Sequence, residues 1–299
     1  MDRFHALRVF VKVADCGGFA AAGRDLNMSP PAVTRAVAML EDRLGLRLFV
    51  RTTRSVRLTE SGERFLADGR RILQDLEEAE EAAVGSHTAP RGELRITAPV
   101  LFGCMYVTPI LGDFLDLYPK VNAQTLFVDR VVNLMDEGLD AAIRIGELPD
   151  SSLTAVRVGT IRRVAFASPE YLKKNGLPEH PNDLSGHRLI QSLALGSSAQ
   201  WPFQVNGKPV FVPVEPRIRM NTNDAANELV LRGWGISQLL SYQIAPYLAD
   251  GRVKPVLSDF EMPPMPVHVL HQEGQIVSAK VRSFVDFITA RLRADPALH

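Results

Sequence analysis

Apolar positions at the start of the chain recur at helical spacing. Phe4, Leu7, Phe10, Val11 and Ala14 share one face and leave Arg8 and Lys12 outside, which predicts an amphipathic helix over 3–16. Gly17-Gly18 ends it. Phe19, Ala22 and Leu26 then predict a short second helix whose alanines permit close helix–helix approach, with Asn27 as a left-handed cap behind it.

The third periodic segment opens with Ser29-Pro30-Pro31. Serine is a good N-cap, and the first N–H groups of a helix have no internal partner, so prolines there lose no hydrogen bond. Behind them Val33, Val37, Leu40 and Leu44 form a core-facing stripe, while Pro31, Thr34, Arg35 and Ala38 line the opposite face. A short helix, a tight turn and a second helix in this order make a helix-turn-helix, whose second helix offers its N-terminal residues to base edges in a major groove. Ser29, Pro30, Pro31, Thr34, Arg35 and Ala38 are therefore the candidate DNA-reading residues. Val56 and Leu58 alternate with Arg57 and Thr59 behind the polar tip Thr52-Thr53-Arg54-Ser55, which predicts a β-hairpin wing. Arg51, Arg54 and Arg57 on or near its edge suit phosphate contact or minor-groove insertion, although a charged tip also keeps an edge strand soluble.

Thr59, Glu60 and Glu63 mark the start of another helix. Along it Phe65, Gly69, Ile72, Leu76, Ala79 and Ala83 alternate at spacings of four and three, the repeat of a two-helix seam. Phe65, Ile72, Leu76, Ala79 and Ala83 are the candidate dimerisation residues; packing of this helix on its own domain is the alternative. "GSHTAPRGE" closes the segment as a hinge. From Gly92 the pattern changes to short apolar runs alternating with helical ones. "ELRITAPV", "NAQTLFV" and "LDAAIRIG" read as strands, "VVNLMDEG" as a short helix, and "TAVRV" and "RRVAFAS" as further strands. A strand and a long amphipathic helix with Val281, Phe284, Val285, Ile288 and Leu292 on one face end the chain. The series predicts an α/β fold with a largely parallel sheet.

Composition adds little except in how charge is distributed. Hydrophobic content of 46% and charged content of 23% are ordinary for a globular protein. The formal net charge is zero, yet from Arg24 to Arg57 seven arginines face only Asp25, Glu41 and Asp42, a local patch suited to a polyanion. Cys16 and Cys104 stand far apart, which points to a reduced, cytoplasmic compartment; Cys104 reads as a small buried side chain, with a redox sensor beside the cleft as the alternative. No secretory signal and no membrane-spanning run is evident. No nucleophile, phosphate-loop or metal-ligand motif appears, so neither an enzyme nor a cofactor is expected. A small-molecule binding or transport module is the rival class, and only DNA binding demands steep salt dependence.

The run from Phe10 to Gly62 resembles the DNA-binding domain of the LysR-type transcriptional regulators. The Gly-Gly-Phe opening of the second helix, the "S-x-P-A-V-T-R" start, "LE-x-x-LG-x-x-LF-x-R" and "LTE-x-G" occur in order at the family spacing. The family commonly places glutamine where this chain has Pro30, a departure shared by a Ser-Pro subgroup that shifts base reading onto Ser29, Thr34 and Arg35. The resemblance implies a multi-domain chain: an α-helical winged helix-turn-helix (1–58), a linker helix and hinge (59–89), then a two-lobed α/β, periplasmic-binding-protein-like effector domain (90–299). Lobe I takes in about 90–162 and 266–299, and lobe II about 163–265. It implies double-stranded promoter DNA, a small-molecule effector, a second copy of the chain (homodimer or dimer of dimers), and RNA polymerase for an activator, with no membrane.

In open α/β sheets a ligand sits beyond the carboxyl ends of the strands. That rule selects Ala98, Pro99, Val100, Leu101 and Phe102 after the first strand, and Arg144, Ile145 and Gly146 after the third. In the second lobe it selects Ser168 and Pro169 after a strand, with Asn221, Thr222 and Asn223 before a helix. Arg144 is a strand-end cation suited to an anionic effector; a structural ion pair with Asp140, Glu147 or another carboxylate is the plainer reading. Leu101 and Phe102 suggest an apolar wall and hence an aromatic or partly apolar acid.

Overall fold

The computed structural model describes residues 2–51, 56–83, 89–148, 153–195, 200–272 and 278–298. The chain divides into two compact units, Met1–Thr88 and Ala89–His299.

In the first unit, α1 (Arg3–Asp15) is capped by Asp2, α2 spans Phe19–Asp25 and α3 spans Pro30–Leu44. Ala6, Val9, Phe10 and Val13 form the buried stripe of α1 together with Leu7, so the apolar face runs past Phe4, which is 41% exposed at the first turn. Asn27 takes the predicted left-handed conformation (φ 52). Strands β1 (Phe49–Arg51) and β2 (Val56–Leu58) pair antiparallel, with Val50 opposite Arg57. Helix α4 (Glu60–Ala83) follows. Thr59 caps it, accepting from the Gly62 N–H (2.9 Å) while donating its hydroxyl to the Arg47 carbonyl (2.8 Å). A Cβ on Gly62 would lie 2.1 Å from the Leu48 carbonyl oxygen, so only glycine lets α4 start against the wing.

The second unit holds two five-stranded sheets. The first, in order β4-β3-β5-β14-β6, is built from β3 (Gly92–Ala98), β4 (Val121–Phe127), β5 (Ala141–Ile145), β6 (Leu153–Ile161) and β14 (Met265–Gln272). The other, in order β11-β8-β12-β7-β13, contains β7 (Arg163–Ala167), β8 (Leu189–Ser192), β11 (Ile218–Met220), β12 (Ile236–Leu240) and β13 (Lys254–Val256). Between β8 and β11 in sequence, β9 (Gln200–Val205) and β10 (Lys208–Pro213) pair as a separate two-stranded hairpin. The short α5 (Val100–Phe102), a π turn and α6 (Thr108–Leu117) make one continuous helical run. The other helices are α7 (Pro169–Asn175), α8 (Asn223–Leu231), α9 (Ser241–Ala249) and α10 (Ala279–Arg293).

Both sheets are mixed, not largely parallel. β3 runs parallel to β4 and β5, but β14 is antiparallel to β5 and β6; likewise β12 is parallel to β8 and antiparallel to β7. The cause is that the chain changes sheet twice. Only Arg162 separates β6 in one sheet from β7 in the other, and β14 brings the chain back. These two crossings define two lobes within the unit. The "VVNLMDEG" segment is a turn and not a helix: Asn133 Oδ1 accepts from the Met135 N–H (3.0 Å), and Gly138 (φ 61) reverses the chain before a second helical turn can form.

Val100–Leu117 has a mean hydropathy of 1.5 and the length to cross a membrane, contrary to the sequence expectation. Phe102, Val107, Leu111 and Phe114 from this run are instead buried in the first lobe, with Phe114 meeting Phe284 of α10 edge-on (5.3 Å). Val281, Phe284, Val285, Ile288 and Leu292 of α10 are all buried there, as their spacing predicts.

Candidate DNA-reading face and ligand cleft

Helix α3 presents two faces of different chemistry. Val33, Ala36, Val37 and Leu40 are buried in the head's core. Ser29, Pro30, Pro31 and Arg35 are exposed, and Thr34 and Ala38 half-buried, on the outer side. Ser29 occupies the N-cap with extended backbone, but its hydroxyl makes no capping bond; its carbonyl accepts from the Ala32 (2.9 Å) and Val33 (3.1 Å) N–H groups. The two prolines remove the donors a helix start normally offers to phosphate, and the polar side chains on this outer face are those of Ser29, Thr34 and Arg35. Among the described residues Arg35 has no ion pair, so its guanidinium is available to a polyanion.

Glu41 is a structural residue that the charge pattern did not reveal. Only 2% exposed, its Oε1 accepts from the Leu48 (2.8 Å) and Phe49 (3.1 Å) N–H groups while Oε2 meets Arg47 (3.2 Å). It thereby ties the end of α3 to the first strand of the wing. The signal was present: Glu41 follows Val37 by one helical turn, on the core side. Arg57 is exposed on β2. Arg54 and the side chain of Arg51 lie outside the described residues.

The linker stripe divides. Phe65 is half-buried with its ring 5.5 Å from Phe10, a Cβ on Gly69 would lie 2.9 Å from Leu7 Cδ1, and Arg70 pairs with Asp15. The first turns of α4 thus pack on their own domain, which corrects Phe65 as a residue available to a partner. Ile72 is 40% exposed and Leu76 half-buried; the side chains of Ala79 and Ala83 lie outside the described residues.

Between the lobes of the second unit lies a cavity of about 190 Å³, lined among others by Pro99, Asp129, Arg144, Arg163, Asn223 and Tyr242. Of the predicted residues, Pro99, Arg144, Ile145 and Asn223 line it. Val100 is exposed at the start of α5, where its N–H donates to Asp129 Oδ1 (3.0 Å). Ala98 and Phe102 are wholly buried in the first lobe and Leu101 is packed against the same core. Phe102 is therefore no cleft wall: its ring stacks on Tyr106 (4.8 Å) and meets Tyr242 edge-on (5.3 Å), and Tyr242 supplies the wall. Gly146 makes the left-handed turn after β5 (φ 109) and sits outside the lining. Thr222 caps α8, accepting from the Ala225 N–H (3.4 Å), and Asn221 is exposed.

Ser168 is misplaced by the carboxyl-end rule. β7 runs antiparallel to β12, so the end of β7 lies at the opposite edge of the sheet from the end of β12. Ser168 is buried there as the cap of α7, accepting from the Tyr171 N–H (3.2 Å), with Pro169 as the first residue of that helix. The same reversal brings Arg163, at the start of β7, opposite Leu240 at the end of β12 and into the cavity. Tyr242 and Gln243 follow β12, and Val128, Asp129 and Val131 follow β4, so the rule applied to those strands would have found them.

Two cations, Arg144 and Arg163, line the cleft. Arg144 donates one hydrogen bond from Nη1 to the Ile143 carbonyl (3.2 Å), and its buried Nη2 has no hydrogen-bond partner. Burial lowers the pKa of both Arg144 and Arg163. Among the described residues Arg144 makes no ion pair; Asp140 accepts from the Arg95 N–H (2.7 Å) and faces Lys280. Burial also raises the Tyr242 hydroxyl far above its ordinary value, so it stays protonated. Cys104 is exposed, not buried.

A helix-turn-helix head with an exposed basic outer face, carried in one chain with a two-lobed unit holding a ligand-sized cleft, defines a ligand-responsive DNA-binding regulator. Residues 4–63 match the bacterial regulatory helix-turn-helix protein family of lysR type, and 87–293 match the LysR substrate binding domain. An HTH-type transcriptional regulator of Xanthomonas campestris pv. campestris is 36% identical over 96% of this chain and 85% of its own length. The regulator CrgA of Neisseria meningitidis is 31% identical over 96% of each chain. The solved structure of CrgA superposes with a TM-score of 0.62 (30% identity, 98% of this chain and 99% of that one). That of the virulence activator AphB of Vibrio cholerae also gives 0.62 (27% identity, 97% and 99%). This chain belongs to the LysR family of transcriptional regulators, DNA-binding proteins that respond to small-molecule effectors and form oligomers, and it is not an enzyme.

Proposed function

We propose that this chain reads an inverted-repeat promoter as a homodimer or dimer of dimers in the cytoplasm, and that an acidic small molecule in the lobe cleft sets its activity. Ser29, Pro30, Pro31, Thr34, Arg35 and Ala38 enter the major groove, while Arg51, Arg54 and Arg57 of the wing contact phosphates. The division of labour is a head over 1–58, a linker over 59–89 and an effector domain over 90–299. Ile72, Leu76, Ala79 and Ala83 on the later turns of the linker helix carry self-association. Ligand bound to both lobes favours their closure, and that shift changes how paired copies hold the DNA and, for activation, present RNA polymerase with its contact.

The observation that carries the DNA reading is the exposed Arg35, unpaired among the described residues, on the outer face of a helix whose start offers few backbone donors. Duplexes selected by the wild-type protein from a random pool provide the test. Arg35→Ala should lose binding to them while keeping its fold and ligand response; retention of wild-type binding would overturn the assignment of α3.

A further inference from the structure

The charge in the cleft is unbalanced. Arg144 comes from β5 in one lobe and Arg163 from β7 in the other, and both line the same cavity without an ion pair among the described residues. Arg130 is already paired with Glu137 (2.8 Å). Asp129 is the carboxylate in the lining, and it accepts from the Val100 N–H at the start of α5. An anion seated at that helix start would meet Asp129 already in place and be repelled by it. The two arginines are thus the place for negative charge in the cleft.

Each guanidinium offers a planar fork matched to one carboxylate, and a half-buried charge without a partner is costly. A monocarboxylate satisfies one fork and leaves the other lobe's cation bare. Pro99, Val128, Ile145, Leu240 and Met265 add apolar surface around the cations, which favours a carbon skeleton over an inorganic anion. A cavity of about 190 Å³ has room for a small organic acid. We infer that the effector is a small organic dianion of the dicarboxylate class, one carboxylate on Arg144 and the other on Arg163, so that the ligand itself bridges the two lobes. Asn223, whose Oδ1 accepts from the Ser192 hydroxyl (2.6 Å), keeps its Nδ2 as a further donor. This inference rests on the lobe cleft being the effector site.

The test is calorimetric titration of the full chain with succinate, glutarate and phthalate, against acetate, benzoate and the neutral isostere succinamide. At least one dicarboxylate should bind about tenfold or more tighter than every monocarboxylate and than succinamide. Arg144→Gln and Arg163→Gln should each cost that binding about 10- to 100-fold, the range for a hydrogen-bonded charged partner. Arg144→Lys and Arg163→Lys, which keep the charge without the fork, should recover part of it, and unliganded melting of each variant checks its fold. Asp129→Asn should bind at least as tightly as wild type. Benzoate or acetate binding as tightly as the dicarboxylates overturns the inference, as does wild-type affinity in Arg163→Gln or failure of every dianion to bind. Hydrogen exchange separates this from the cleft reading. Protection of 128–131 and 240–243 by any bound compound, including one from a wider metabolite library, leaves the cleft as the effector site. Protection confined to other segments overturns both.

Discussion

Replacing Glu41 by alanine tests whether one buried carboxylate fixes the wing to the recognition helix. The substitution removes the acceptor of two N–H groups, Leu48 at 2.8 Å and Phe49 at 3.1 Å, at a site where both residues and Glu41 itself are buried. Each donor left without a partner costs about 1–3 kcal/mol, so the two together destabilise the head by about 2–6 kcal/mol. The Arg47 contact adds little, because that side chain is 74% exposed and solvent screens it. Glu41→Gln separates the contributions. Its amide oxygen can keep both backbone donors but loses the charge assistance, at a cost of about 1–2 kcal/mol. Amide exchange followed by mass spectrometry on the full chain reads the 48–49 amides directly, and urea titration by circular dichroism reads the head. Alanine should abolish protection at those amides, glutamine should reduce it, and affinity for selected duplex should fall in the same order as the wing loses its register. Wild-type protection in Glu41→Ala, or a loss below about 1 kcal/mol, would refute the argument that this carboxylate holds the wing.

Arg35→Ala should lower affinity across duplexes and reduce the slope of log affinity against log salt by about one counterion if the contact is to phosphate; if the contact is to a base it should relax preference at one position, worth about 1–3 kcal/mol. Leu76→Glu should shift sedimentation towards monomer and weaken DNA binding through lost bivalency, whereas an unchanged mass would remove α4 from the interface. Burial lowers His268 below its ordinary 6.5, with nearby Arg157 acting in the same direction and Glu147 against. A base whose folded pKa is depressed takes its proton later when folded, so its contribution is fully present above pH 6.5 and is lost as pH falls towards the folded value. Thermal midpoints between about pH 8 and about pH 5 should therefore fall less steeply in His268→Gln than in wild type.

What the sequence discloses depends on how local the physics is. Ser29, the two prolines and Asn27 act within one turn of themselves, and the structure places a helix start and a left-handed residue where they stand. The Phe65–Gly69 stripe is ambiguous because packing on α1 and packing on a partner demand the same spacing; the ring of Phe10 at 5.5 Å decides it for Phe65. The cleft is less local still. Finding a ligand site from strand ends requires the direction of each strand, and direction here follows from where the chain changes sheet. Ser168 ends a strand and lies at the far edge, while Arg163 begins the same strand and lies in the cavity, because β7 enters the second sheet antiparallel to β12. No periodicity around Arg163 carries that fact. It belongs to the pairing of Arg163 with Leu240, two residues that only the fold brings together. The charge most telling about the ligand is thus the one that local sequence could not place, whereas Arg144, at the end of a strand parallel to its neighbour β3, obeyed the rule and was found.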